Sequence, residues 1–348
     1  MRRLLIASLV ALSPFYLGVD KACVSVPADD SLVNRGTIEV RGALQDEDGQ
    51  LVDGQVQLSV NGVAQPWVNT TDGLYVYPSV TARPGTNLLD GITRRTVRGM
   101  QVSGTIQRSR FERRDDLVDR GEQRVFLDLD GPPFHARVRE IISQTVDTPL
   151  SLDQMNALVV QAEDQIRLRF RETFEERGLR IRLVAAAGTD VTTIFFDGVP
   201  NEDTALGRAP IDFLNSNKQQ RGNVFVARFK QIFVDDGRLL TETPARRTDS
   251  PSQRAIDVGN VLSATAIHEL GHTLGLVREG DQGLNGCDGS HNCVAFDQAN
   301  GTNRALDIHF MTTRRTTKSH FGSLDRDVRM PFKVDFNSFN RSYLEIIH

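Results

Sequence analysis

The sequence lacks several features that mark common functional classes. Its formal net charge is −4 and its basic and acidic residues are interspersed, so the charge pattern gives no reason to expect nucleic acid as a partner. Beyond the N-terminal segment, no apolar run approaches the ~20 residues that a membrane-spanning helix needs. The sequence also has no phosphate-binding glycine-rich loop. Its Ser-His pairs lack the context of a nucleophile elbow.

The N-terminal segment has the pattern of an export signal. Arg2 and Arg3 form a basic start, and the apolar run 4–19 follows, interrupted by Pro14. We therefore predict a signal peptide over residues 1–22. The mature protein is expected in the periplasm, in the cell envelope or outside the cell.

The three cysteines fit an exported protein. Cys287 and Cys293 are six residues apart and are candidates for a disulfide. Cys23 follows the predicted signal. Lipid attachment there, as in bacterial lipoproteins, would tether the protein to a membrane, although Asp20 stands where such signals usually have leucine. The alternatives are that Cys23 is free or is removed with the signal.

Residues 28–110 have the pattern of a small β-sandwich. Short alternating segments are separated by turn pairs such as Asn61-Gly62 and Asp72-Gly73, at a spacing of about ten residues. This rhythm resembles bacterial immunoglobulin-like accessory modules. The segment contains no histidine, and its pattern favours a module that acts as a spacer or an anchor. We therefore assign it no chemistry.

A charged stretch at 111–123 is the predicted linker to a second domain at 124–348. We expect this domain to begin with a strand at 124–129 and to continue with a long helix at 152–177, capped by Ser151. Further strands are predicted at 180–185, 191–196 and 223–228. The whole chain is therefore predicted to be α+β.

A second helix is strongly marked between Ser250 and Gly275. Ser250 is a predicted N-cap, Pro251 suits the first helical position, and Gly275 suits the C-terminal stop. Most of the helix is apolar, so we expect it to be buried. Unpaired imidazoles would be unfavourable in such a helix, which favours a ligand role for its two histidines.

The motif in this helix is His268-Glu269-Leu270-Gly271-His272. Histidines four residues apart lie on one helical face and can reach one metal ion, and the glutamate between them can accept a proton from water. The alternative is a pair of exposed histidines that flank a solvated glutamate.

The motif, with the following Thr273-Leu274-Gly275-Leu276, resembles the metzincin clan of zinc endopeptidases, matrixin-like members included, over residues 124–330. The resemblance implies a mixed sheet with a long helix and an active-site helix. It implies one catalytic Zn²⁺ held by His268 and His272, with Glu269 as the general base that helps hydrolyse peptide bonds of a protein or peptide. Met311 is expected in the Met-turn beneath the metal.

The sequence departs from the clan at the third ligand. Arg278 stands where a histidine or aspartate is usual, and a guanidinium has no lone pair for a metal. His291 is our first candidate for this ligand and Glu279 the alternative, with Asp281 and His309 also in reach. If none of them binds zinc, the protein would be a pseudoprotease that serves as a binding or scaffold protein.

Three further matters stay open at this stage. A third hypothesis is a surface adhesin or envelope structural protein in which the motif is incidental. If the chain is a peptidase, the strand that aligns the substrate is either Leu206–Ala209 or Asn223–Val226. The pattern does not decide the oligomeric state.

Overall fold

The computed structural model describes residues 20–146, 148–196, 205–212, 214–230, 250–276, 296–297, 302–303, 336 and 338–348. The chain divides into two compact units. The first consists of residues 1–30 and 35–114, and the second of residues 31–34 and 115–348. Among the described residues, no helix has the length and apolar character needed to cross a membrane.

The first unit is built from strands. They join in one continuous path of hydrogen-bonded neighbours, in the order β5-β4-β8-β9-β1-β3-β7, and β6 also pairs with β4. The pairing is antiparallel except between β1 and β9, which run parallel. Their bounds are β1 Lys21–Val26, β3 Thr37–Gln45, β4 Gln55–Val60, β5 Val63–Ala64, β6 Val68–Asn69, β7 Leu74–Thr81, β8 Gly85–Val97 and β9 Met100–Arg113; β2, Ser31–Val33, belongs to the second unit.

The turns of this unit follow the sequence pattern. Asn61 and Gly62 have φ angles of 52° and 82°, the left-handed geometry that closes the β4–β5 hairpin. The curled sheet is mixed, and the strands form one path rather than two separate sheets. The strand β9 continues through residues 111–113, which we expected in the linker. The immunoglobulin-like comparison stays a prediction.

The start of the described chain is integrated into this sheet. Asp20 is buried and forms an ion pair with Arg95 at 2.7 Å. Lys21 and Ala22 are the last residues of the predicted signal. They form both register pairs between β1 and β9. Cys23 lies within β1, and its carbonyl accepts a hydrogen bond from the Tyr75 hydroxyl. Residues 1–19 lie outside the described residues.

The second unit combines a sheet with helices. The sheet has the order β11-β10-β12-β14-β13, and it is parallel except for the antiparallel edge strand β13. The bounds are β10 Gln123–Asp128, α1 Pro132–Thr145, α2 Leu152–Phe170, β11 Ile181–Leu183, β12 Val191–Phe195, β13 Gly207–Arg208, β14 Arg221–Val224, α3 Val226–Lys230, α4 Pro251–Leu274, β15 Phe296–Asp297, β16 Thr302–Asn303 and α5 Ser338–Ile347. The α+β class is therefore confirmed.

Several boundaries differ from the expectation. The long helix starts as predicted at its Ser151 cap, but its last part, Arg171–Glu175, is a π-helical turn. The predicted strand at 223–228 ends at Val224, because residues 226–230 form α3. Helix α1 was not predicted. It opens on two prolines, which are compatible with a helix only in its first turn.

The core of the second unit lies between the sheet and α2 and α4. Helices α2 and α4 approach closely at Gly259, where a Cβ would lie 2.7 Å from the Ala162 carbonyl oxygen. Leu32, from the first third of the chain, is also buried in this core. Its amide donates to the Ser342 hydroxyl of α5 at 2.7 Å. The module predicted over residues 28–110 includes this segment, which the structure places with the second unit.

Candidate metal centre on helix α4

Helix α4 carries the motif and has well-defined ends. The Ser250 hydroxyl accepts a hydrogen bond from the Gln253 amide at 3.2 Å, which caps the N-terminus. Gly275 has a φ of 81° and donates its amide to the Gly271 and His272 carbonyls, which closes the C-terminus. Both capping predictions are confirmed. The motif thus occupies the last two turns of a helix that is largely buried.

The two histidines of the motif converge on one point. Their Nε2 atoms are 3.1 Å apart, and the ring planes cross at 87°. For tetrahedral zinc with Zn–N bonds of about 2.0–2.1 Å, two ligand nitrogens stand about 3.3 Å apart. The observed pair is therefore close to the spacing that one zinc ion requires. His272 is buried, so this pair is not the solvated surface pair of the alternative interpretation.

Glu269 lies in a slot between α4 and the edge of the sheet. A Cβ on Gly207 of β13 would lie 2.5 Å from Glu269 Oε1, and one on Gly222 of β14 would lie 3.7 Å from Glu269 Cβ. The absence of side chains at these two positions makes room for the carboxyl group. Burial raises the pKa of Glu269 to about 8, because desolvation disfavours the charged form.

The donor set suits zinc. Two imidazole nitrogens with a buried carboxyl group beside them are typical of catalytic zinc sites, which use three protein ligands and leave one position open. No group of three metal-ligating side chains is found within the described part of the chain. The remaining predicted site residues lie outside that part: Arg278, Glu279, Asp281, Cys287, His291, Cys293, His309 and Met311.

The strand next to Glu269 is the outermost of the sheet. Gly207 and Arg208 form β13, which pairs with β14 on one side only in the described structure. Asn223 and Val224, the alternative from the sequence, lie inside the sheet between β12 and β13. Of the two candidate edge strands, only Gly207–Arg208 has the edge position.

A loop beside the motif helix completes the described surroundings. The Asp212 amide donates to the His272 carbonyl at 3.1 Å. The Tyr343 hydroxyl of α5 accepts from the Leu214 amide at 2.9 Å, and Leu214 and Asn215 both have positive φ angles. Sequence patterns gave no signal for Asp212 or Tyr343, because both act through contacts between distant parts of the chain.

Comparisons with known proteins add little to this description. No protein-family model and no curated protein matches the chain. Among solved structures, the X-ray structure of the endo-beta-1,4-mannanase from Thermotoga petrophila is similar over 28% of this chain and 20% of that chain, at 13% sequence identity and a TM-score of 0.20. At that TM-score the likeness carries no argument about fold or function.

Proposed function

We propose that the protein is an exported zinc-dependent metalloendopeptidase of the metzincin type, with an immunoglobulin-like module before the catalytic domain. The observation that carries this proposal is the convergence of His268 and His272 Nε2 at 3.1 Å, next to a buried glutamate. A lone His-Glu-x-x-His pattern occurs by chance. A pair with this spacing, in which His272 is buried and His268 partly buried, beside an outermost strand, is a more specific arrangement.

Each residue of the site would have its own role in the hydrolysis. His268, His272 and a third residue would hold the zinc, which when bound would supply a Lewis acid for water and for the peptide carbonyl. Glu269 accepts the proton of the attacking water at its carboxylate and returns it to the leaving amine. The raised pKa of Glu269, about 8, belongs to the site without a cation, and a nearby cation would lower it.

The edge strand β13 would align the substrate. An extended peptide that adds to this edge binds through main-chain hydrogen bonds, with little demand on its sequence. Gly207 places the strand backbone directly against the Glu269 carboxyl group. The scissile bond of a peptide on this edge would therefore lie close to the proposed general base.

Elemental analysis of the purified protein tests the metal site. After dialysis against metal-free buffer, we expect one zinc per chain, lost in His268→Ala and His272→Ala. His135→Ala is the matched control, because His135 lies on α1 and pairs with Glu163 at 2.8 Å. Glu269→Gln should keep the zinc and lower kcat about 10²–10⁴-fold. A folded protein without zinc would overturn the proposal.

The second candidate function is a pseudoprotease that acts as a binding or scaffold protein in the envelope. Arg278 at the expected ligand position favours it. Equal, negligible hydrolysis by the wild type and by Glu269→Gln, together with absence of zinc, would support this second function. His291→Ala and Glu279→Ala separate the two candidates for the third ligand if zinc is present.

Export is part of the proposal, but the contacts of Asp20 argue against maturation at Cys23. Removing residues up to 22 would delete the buried ion pair of Asp20 with Arg95 and both register pairs between β1 and β9. We therefore place the signal cleavage site before Asp20. A membrane tether through Cys23 would require the sheet to lose this pairing.

A further inference from the structure

The face of the second sheet that points away from α4 is rich in arginine. Gly207 and Gly222 face Glu269 of α4, so their neighbours Arg208 and Arg221 point to the opposite face, since side chains alternate along a strand. On β10, Val125 and Leu127 are buried in the core, which places Arg124 on this opposite face.

Arg182 of β11 lies on the same face, because Ile181 before it is in the core. We call Arg124, Arg182, Arg208 and Arg221 the arginine face. Arg124 and Arg182 are direct register partners on neighbouring strands. Like charges in that relation repel each other and destabilise a sheet, so a ligand of opposite charge would relieve the repulsion.

Three of these arginines, Arg124, Arg182 and Arg221, contact carbonyl groups and an aromatic ring rather than carboxylates within the described structure. Arg124 donates to the Thr189 carbonyl at 2.8 Å, and Arg182 donates to the Leu179 carbonyl at 2.6 Å. The Arg221 guanidinium lies 3.8 Å from the centre of the Phe195 ring. Asp128, at the other end of β10 from Arg124, lies on the same face and is the register partner of Phe195.

We propose that the arginine face binds an acidic polypeptide segment of the substrate, outside the cleavage site. This inference rests on the proposed peptidase function. Arg208 is the residue of the arginine face that lies on the edge strand β13. The other residue of this strand, Gly207, lies against Glu269. A polypeptide bound along the edge strand therefore has the arginine face beside it.

The chemistry of the face fits carboxylates. A guanidinium presents a planar fork that binds a carboxylate through two hydrogen bonds. With strands ~4.8 Å apart and a rise of ~3.3 Å per residue, the backbones at Arg124 and Arg221 are about 12 Å apart. An extended peptide covers this distance in about four residues, so glutamates or aspartates with that separation can reach both arginines.

Binding is measured without catalysis, so that its failure is distinguishable from failure of the peptidase proposal. The probe is a fluorescein-labelled peptide with glutamate at every second position, and the full chain carries Glu269→Gln to prevent cleavage. Fluorescence anisotropy gives Kd. We expect Arg124→Gln with Arg221→Gln to weaken binding about tenfold, and added salt to weaken it further.

The charge-matched control is Arg137→Gln with Arg341→Gln, which removes two exposed helix arginines paired with Glu140 and Glu345. It should change Kd less than twofold. Arg124→Lys with Arg221→Lys keeps the charge without the fork and should retain part of the affinity, which guards against a folding defect in the glutamine variant. Equal affinity in the glutamine variant and the control overturns the proposal.

Three other outcomes are decisive. Tighter binding of an oligothymidylate of equal charge than of the peptide would overturn the choice of a polypeptide. A wild type that hydrolyses no peptide but binds the probe through Arg124 and Arg221 would refute the peptidase function and leave the acidic ligand standing. A wild type that cleaves peptides without any preference for acidic ones, and that does not bind the probe, would refute the acidic ligand and leave the peptidase function standing.

Discussion

A single methyl group at Gly207 tests whether the position of the Glu269 carboxyl group matters for catalysis. In Gly207→Ala the added Cβ would lie 2.5 Å from Glu269 Oε1 and 2.7 Å from the Asn223 carbonyl oxygen. The backbone at Gly207 is outside the left-handed region, so alanine meets no backbone strain there. The effect of the substitution is therefore steric.

The Glu269 side chain is the group that moves most easily, because the carboxyl group ends a flexible side chain. The Asn223 carbonyl oxygen, at 2.7 Å, belongs to the backbone of β14, so β13 must also shift slightly against that strand. Ordinary contact would require the carboxyl group to retreat by about 1 Å, and a displacement of that size can cost about 10²-fold in rate. The tighter packing should lower the free energy of unfolding by about 1–3 kcal/mol.

The assay compares kcat, KM and zinc content of Gly207→Ala with those of the wild type on one peptide substrate. We expect kcat to fall about 100-fold while the zinc stays bound, since the atoms nearest to the new methyl group belong to Glu269 and Asn223 rather than to His268 or His272. Gly188→Ala is the control, because its Cβ would meet only the Val191 side chain at an ordinary 3.9 Å. Unchanged kcat in Gly207→Ala would refute the role given to this slot.

Two further outcomes are expected. Burial lowers the pKa of His348 to about 4, against about 6.5 in the unfolded chain. The unfolded chain therefore binds the proton more readily, and the free energy of unfolding should fall by up to about 3 kcal/mol between pH 6.5 and pH 4. Urea unfolding at both pH values should show a smaller fall in His348→Gln. Mass spectrometry of the exported protein should find its N-terminus at or before Asp20, and a lipid-modified N-terminus at Cys23 would contradict the buried Asp20–Arg95 pair.

Features that depend on neighbouring residues could be predicted from the sequence. The caps at Ser151 and Ser250 and the stop at Gly275 each follow from hydrogen bonds within one turn of the chain. The spacing of His268 and His272 likewise places both rings on one helical face. These predictions needed no knowledge of tertiary structure.

Features that depend on strand pairing could not be predicted in the same way. The edge position of Gly207 follows from the antiparallel return of β13, and a two-residue strand has no periodicity to detect. The slot for Glu269 also needs Gly222, which comes from a different strand. The place of Leu32 in the second unit has the same origin, since its partner Ser342 is 310 positions later in the chain.

The burial of Leu32 limits where the chain can be truncated. A fragment that starts at residue 115 would lack Leu32, leaving a cavity in the hydrophobic core and the Ser342 hydroxyl without its amide partner. Removal of a buried leucine side chain typically costs about 2–5 kcal/mol, a large share of the stability of an ordinary domain. The second unit therefore cannot be separated intact at a single junction. A truncated version needs residues 31–34 supplied by another route, for example as a peptide added in trans or by circular permutation.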